Sequence, residues 1–177
     1  MYSITFGITR ADRYLRHFQA ILMYGTDAIG TRDNDGRTSL HLASQGGHLK
    51  VSQTLLAKGA DFNSQDNSGW TPLHLASQGG YVDVSRTLLE KGADANSRDK
   101  DGWTPLHRAS SGGHLEVSRA LLENGAHTNA RDSYNRVPLH QASRIGCLDV
   151  VNVLLKRGAD ARGVWGKVFV CTPKLAS

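Results

Sequence analysis

The chain is poor in the residues on which most chemistry is built. Two cysteines, Cys147 and Cys171, stand in 177 residues, too few for a disulfide framework, so a reducing intracellular compartment is expected. No apolar run approaches the ~18 residues of a membrane span, and no membrane contact is expected. H-E-x-x-H, C-x-x-C, the G-x-S-x-G elbow and a glycine-rich loop followed by Lys-Ser or Lys-Thr are all missing, which leaves zinc protease, dithiol, hydrolase and nucleotide chemistry without a signature. No catalytic residue, cofactor or metal is therefore expected, and the chain is read as a non-enzyme.

What the chain has is a period. His41, His74, His107 and His140 stand 33 residues apart, each in a variant of Thr-Pro-Leu-His-x-Ala-Ser followed by Gly, Leu-Leu and Gly-Ala. Aligned on them, the copies run over 33–65, 66–98, 99–131 and 132–164 with no insertion. A period of this length means a stack rather than a globule.

The residues of the second copy explain its shape. Asp66-Asn67-Ser68-Gly69 is a turn, because Asp bonds its own backbone and Gly tolerates a positive φ. Thr71 before Pro72 caps a helix whose first position needs no N–H. Leu73, Ala76 and Ser77 follow at helical spacing, Gly79-Gly80 stops that helix, and Val82, Val84, Leu88 and Leu89 mark a second one closed by Gly92. One copy is thus a turn and two short antiparallel helices, whose apolar stripe has only the next copy to pack on.

The last copy departs most. Asn135 replaces the turn glycine, Val137 the capping Thr, and Cys147 the histidine of His48 and His114. Asn accepts the left-handed conformation, but loss of the Thr cap costs about 1 kcal/mol, so this copy is expected to be the loosest complete one. Cys147 follows Arg144 closely, which would favour a thiolate; filling a small position at a helix start is the simpler reading. Arg108 and Gln141 replace the Leu of Leu-His-Leu-Ala-Ser, which predicts a partly buried position in those copies.

The 33-residue period, Thr-Pro-Leu-His and the run DNSGWTPLHLASQGGYVDVSRTLLEKGADANSR resemble the ankyrin repeat over about three quarters of the chain. The resemblance implies an all-α solenoid of helix-turn-helix repeats with β-turn or hairpin fingers, acting as a protein-binding scaffold or adaptor in cytoplasm, nucleus or both. It implies that the periodic histidines bond neighbouring backbone and tie repeats together. Spacing agrees in excluding a metal site, since adjacent helices lie roughly 8 to 10 Å apart and a metal needs its nitrogens within about 2.1 Å. Asn63, Asn96 and Asn129 occupy a position that is hydroxylated in some ankyrin proteins; turn bonding is the default for them.

The ends break register. Tyr14, Leu15, Phe18, Ile21 and Leu22 make one helical face in residues 1–32, read as a degenerate half repeat that caps the stack. A transit peptide carrying Arg10, Arg13 and Arg16 is the alternative, with Asp12 against it. Thr172-Pro173-Lys174-Leu175-Ala176-Ser177, within residues 165–177, reads either as a decayed fifth repeat or as a tail.

If the frame is fixed, function belongs to the positions that vary. In ankyrin-like repeats these are the second, third and fifth residues, two between the helices, and the last, all on the concave side. Of these, Arg37, Trp70, Gln78, Arg98, Lys100, Trp103, Arg131, Tyr134, Arg136 and Arg144 are the candidate partner-binding residues. Six bases (Arg37, Arg98, Lys100, Arg131, Arg136, Arg144) against Asp35 and Asp101 leave +4 on this face, out of +5 for the chain, so an acidic protein surface is the expected partner of a monomer. Arg37, Trp70, Trp103 and Arg136 share one slot, and exposed Trp and Arg dominate binding hot spots; stacking of each Trp on its neighbouring turn is the alternative. Nucleic acid is the second class considered, with the sparse stripe and its acids against it. A third reading makes the chain a piece of a larger adaptor or receptor.

Overall fold

The computed structural model describes residues 29–161. Residues 1–28 of the expected N-terminal cap, among them the transit-peptide arginines, and the Thr172–Ser177 segment fall outside that range. Within it stand eight helices in four antiparallel pairs: α1 (Ser39–Gln45) with α2 (Leu49–Ala57), α3 (Pro72–Gly79) with α4 (Val82–Glu90), α5 (Pro105–Gly112) with α6 (Leu115–Glu123), and α7 (Pro138–Arg144) with α8 (Leu148–Lys156). No strand occurs among the described residues. Each pair and the turn before it form one unit, 1 to 4 in chain order.

Every unit starts on an aspartate for a local reason. Asp66 Oδ1 accepts the N–H groups of Ser68 at 2.8 Å and Trp70 at 2.9 Å, while the Asp66 N–H donates to the Trp70 carbonyl at 2.9 Å. Asp33, Asp99 and Asp132 accept the same pair of N–H groups in their own units. The turn needs a left-handed residue, supplied by Gly69 at φ 79° and in unit 4 by Asn135 at φ 61°. Fingers are then joined edge to edge: Asn67 N–H donates to the Asp35 carbonyl, Lys100 to Ser68, and Ser133 to Asp101, at 2.9, 3.1 and 2.9 Å.

The first helices begin on Thr38, Thr71, Thr104 and Val137 in extended backbone. They pack in series, α1 on α3 on α5 on α7, as do the second helices α2, α4, α6 and α8. Leu40, Leu73, Leu106 and Leu139 fill the space between layers, each at most 2% exposed, and the small Ser44, Ser77 and Ser110, fully buried, let successive first helices approach closely. Each interface is shared by two units, which is why one unit alone has no core.

Among the described residues nothing covers the outer side of unit 4. Leu122 is 7% exposed, whereas Leu155, its counterpart one period on, is 44% exposed and Leu148 is 68% exposed. Its cap is also weaker, because Val137 offers no hydroxyl where Thr71 Oγ1 accepts the His74 N–H. Val137→Thr should therefore stabilise the protein by about 1 kcal/mol, read as a raised urea midpoint with unchanged m-value.

Gln141 corrects the sequence expectation. It is 2% exposed rather than partly buried, and its Oε1 accepts a bond from Arg144 Nε at 3.3 Å, so the amide is carried into the core with a partner. Arg108 is half-buried, as expected for a base at that position.

Candidate partner-binding face

The periodic histidines fix the geometry of the face. Thr71 N–H donates to His74 Nδ1 at 3.2 Å, so the ring proton sits on Nε2, which donates to the Trp103 carbonyl at 3.0 Å. His41 and His107 do the same, reaching the Trp70 carbonyl at 3.0 Å and the Arg136 carbonyl at 3.1 Å. Each ring thus hangs the next finger from the N-terminus of a first helix. Desolvation lowers the pKa of all three, that of His74 to about 4, against the opposing pull of the carbonyl bond and nearby aspartates. Among the described residues no group of His, Cys, Asp and Glu could hold a metal ion.

The other side has its own ties. Asn63 Oδ1 accepts the Asp94 N–H at 2.9 Å, Asn96 Oδ1 the His127 N–H at 2.7 Å, and Asn129 Oδ1 the Asp160 N–H at 2.7 Å; these amides link successive loops. His114 Nε2 pairs with the Gln78 carbonyl at 3.0 Å, and Cys147 Sγ lies 3.6 Å from the Gly113 carbonyl at the start of α8.

The shared slot does form a row, and a residue that sequence reasoning left out organises it. The Arg108 guanidinium lies between two rings, 3.9 Å from the Trp70 centroid and 4.4 Å from that of Trp103, and ion-pairs with buried Asp99 at 2.5 Å. Arg136 continues the row, 5.7 Å from the Trp103 ring and 4.8 Å from Tyr134, with its Nε 2.7 Å from Asp132 Oδ2. Trp70 and Trp103 are consequently half-buried rather than freely exposed. Burial would raise the Asp132 pKa, but bonds from the Arg136 N–H and guanidinium and from the Tyr134 N–H outweigh it and hold the carboxyl below the usual range.

The remaining candidates divide into occupied and available. Arg98 spends its guanidinium on the Arg131 carbonyl, and Arg131 donates to Asn135 Oδ1 at 2.8 Å. Arg37 pairs with Asp35 and Asp66, each at 3.6 Å. Lys100 and Gln78 are exposed, Tyr134 is 73% exposed, and Arg144, also exposed, holds the Gln141 amide with its Nε.

The charge of the face is smaller than the sequence count of +4. Asp33, Asp66, Asp99 and Asp132 lie beneath the same fingers, and with Arg108 included the net becomes +1. It is also uneven. Lys100, Arg131 and Arg144 are exposed in units 3 and 4, whereas at the unit 1 end Arg37 stands among Asp33, Asp35 and Asp66. Between fingers 1 and 2 opens a cavity of about 340 Å³, lined by Arg37, Gln45, Asp66, Ser68, Trp70, Leu75, Gln78 and Gly79.

A stack of turn-and-two-helix units hung on Thr-x-x-His caps defines a helical repeat protein. Residues 10–99 and 91–162 match the family model described as ankyrin repeats (3 copies), and the chain belongs to the ankyrin-repeat family. No curated protein matches it. Ankyrin repeats are in general protein–protein interaction modules, and the family is typically non-catalytic. No helix among the described residues is long and apolar enough to cross a membrane.

Proposed function

We propose that this chain is a non-catalytic scaffold or adaptor module that holds an acidic protein segment across its fingers and first helices, centred on units 3 and 4. The four repeats are 33–65, 66–98, 99–131 and 132–164, flanked by 1–32 as N-terminal cap and 165–177 as tail or decayed repeat. The observation that carries the reading is the open end of the aromatic row: Tyr134, 73% exposed, has the Arg136 guanidinium 4.8 Å from its ring, with exposed Lys100, Arg131 and Arg144 in the same two units. Such a surface gives an aromatic anchor and a steering field together. Trp70, Trp103, Arg98 and Arg136 act beneath it by holding the row rigid.

Nucleic acid fits less well. Base stacking needs a succession of open rings, and guanidinium groups of the chain itself already lie against Trp103 and against one face of Trp70.

The test is affinity capture with the wild-type chain beside a Lys100→Ala, Tyr134→Ala variant, whose changed side chains are exposed and whose fold is checked by circular dichroism. The captured protein should be acidic and should bind the variant at least tenfold more weakly. Equal binding to both chains sinks this face, and affinity that collapses between 50 and 200 mM salt transfers the assignment to nucleic acid.

A further inference from the structure

Leu75 and Arg108 hold equivalent positions 33 residues apart, yet the slots they border differ. In unit 3 the Arg108 side chain fills the space between Trp70 and Trp103 and closes on Asp99. In unit 2 the shorter Leu75 leaves the corresponding space open, and that space is the cavity of about 340 Å³. Leu75, Asp66, Trp70, Arg37, Gln45 and Gln78 line it. Trp70 borders it and Arg108 does not.

The carboxylates make the same comparison. Asp99 and Asp132 each hold a guanidinium nitrogen, at 2.5 and 2.7 Å. Asp66, with only 4% of its side chain exposed, has Arg37 Nε at 3.6 Å, too far for a hydrogen bond, and that Nε has no hydrogen-bond acceptor.

We propose that this cavity is a receptor site for one guanidinium group, an arginine side chain of the bound partner, which fills it as Arg108 fills the slot of unit 3. The plane of the group stacks on Trp70, its fork donates to Asp66 Oδ2, and the amide oxygens of Gln45 and Gln78 take the remaining N–H groups. Arg37 does not close the site to a cation, because Asp35 and Asp66 both border it at 3.6 Å and two carboxylates face one guanidinium. Planarity selects arginine over lysine, whose ammonium cannot stack and fork at once. The source of the arginine rests on the reading of this face as the binding face; the chemistry of the slot does not. Together they orient the partner, with arginine toward units 1 and 2 and acidic residues toward units 3 and 4.

The probe is N-acetyl-L-arginine N-methylamide, titrated against the full chain while the Trp70 indole N–H is followed by NMR, beside the matched citrulline and lysine compounds. The arginine compound should shift the Trp70 signal and bind at least tenfold more tightly than citrulline, which has the same shape without the charge. Asp66→Asn keeps an oxygen for the two turn N–H groups and should weaken the arginine compound at least tenfold. Leu75→Arg should fill the slot from within and abolish the shift. A Trp70 signal unmoved at millimolar probe, an equal response to citrulline, or unchanged binding by Asp66→Asn overturns the assignment. Because the probe is a small molecule, failure here leaves the acidic-partner face standing, and failure of the capture experiment leaves this site standing.

Discussion

Lowering the pH from 7 to 4 should remove about 3 kcal/mol of folding stability through His74 alone, with His41 and His107 adding to the loss. In the folded chain His74 titrates at about 4 instead of 6.5, and His41 and His107 are shifted the same way, because each ring is buried and its Nδ1 already accepts an N–H bond. The unfolded chain therefore binds protons that the folded chain refuses. Stability is whole above about pH 6.5, falls by up to about 1.4 kcal/mol per pH unit for each ring as acid protonates the unfolded state, and stops falling where the folded ring titrates. The aspartates around the rings moderate but do not reverse this, Asp66 near His41, Asp99 and Asp66 near His74, and Asp132 and Asp99 near His107, while Arg32, Arg108 and Arg98 reinforce it. Asp132 acts in a lower window, since its depressed pKa stabilises the fold above the ordinary carboxylate range and is lost only below it. Urea unfolding followed by circular dichroism at pH 7, 6, 5 and 4 measures the slope. His74→Gln, less stable at neutral pH, should show a slope shallower by nearly one proton; an identical slope would place the acid sensitivity elsewhere.

Most of this architecture is legible in the sequence because a repeat stack is built from local decisions made over and over. Asp66, Gly69, Thr71, Pro72 and His74 act within nine residues of one another, and the 33-residue period then supplies the neighbour that each ring reaches. Asn63, Asn96 and Asn129 belong to the same class, fixed by a period and a loop. What escaped is whatever depends on two units at once. Arg108 reads, one copy at a time, as a Leu replaced by a base; its role exists only because Trp103 lies five residues before it and Trp70 one unit further back. That pair of tryptophans in consecutive slots, followed by an arginine in the third copy, was the available signal. The charge of the face was overstated for a related reason. Asp33, Asp66, Asp99 and Asp132 form the turns, and the second oxygens of the last three carry the charge that Arg37, Arg108 and Arg136 meet.

Replacing Arg108 with leucine should cost about 3 kcal/mol, although leucine is the residue that units 1 and 2 carry at this position. Leu42 and Leu75 are buried there without strain, 5% and 4% exposed, so shape is not the source of the loss. The substitution leaves Asp99, with 1% of its side chain exposed, facing an empty slot, because the cation that touched it was Arg108. It also removes two guanidinium–indole contacts of about 0.5 to 2 kcal/mol each, offset in part by burial of the leucine. Asp99→Asn in the same chain should recover at least about 1 kcal/mol, since its amide oxygen still accepts the Asp101 and Trp103 N–H groups while no charge is stranded. Arg108→Lys keeps the charge without the plane and should fall between the two. Urea denaturation of these proteins and of Asp99→Asn alone closes the cycle, and an Arg108→Leu midpoint equal to the wild type would show that the stacked row contributes nothing to stability. The variant also makes a second copy of the unit 2 cavity, now between Trp70 and Trp103 with Asp99 at its base. Methylguanidinium at low millimolar concentration should then raise the midpoint of Arg108→Leu, which offers two such slots, more than that of the wild type, which offers the unit 2 cavity alone. Such rescue would identify the slot geometry itself, two fingers, an indole and a buried carboxylate, as what this stack offers to a guanidinium group.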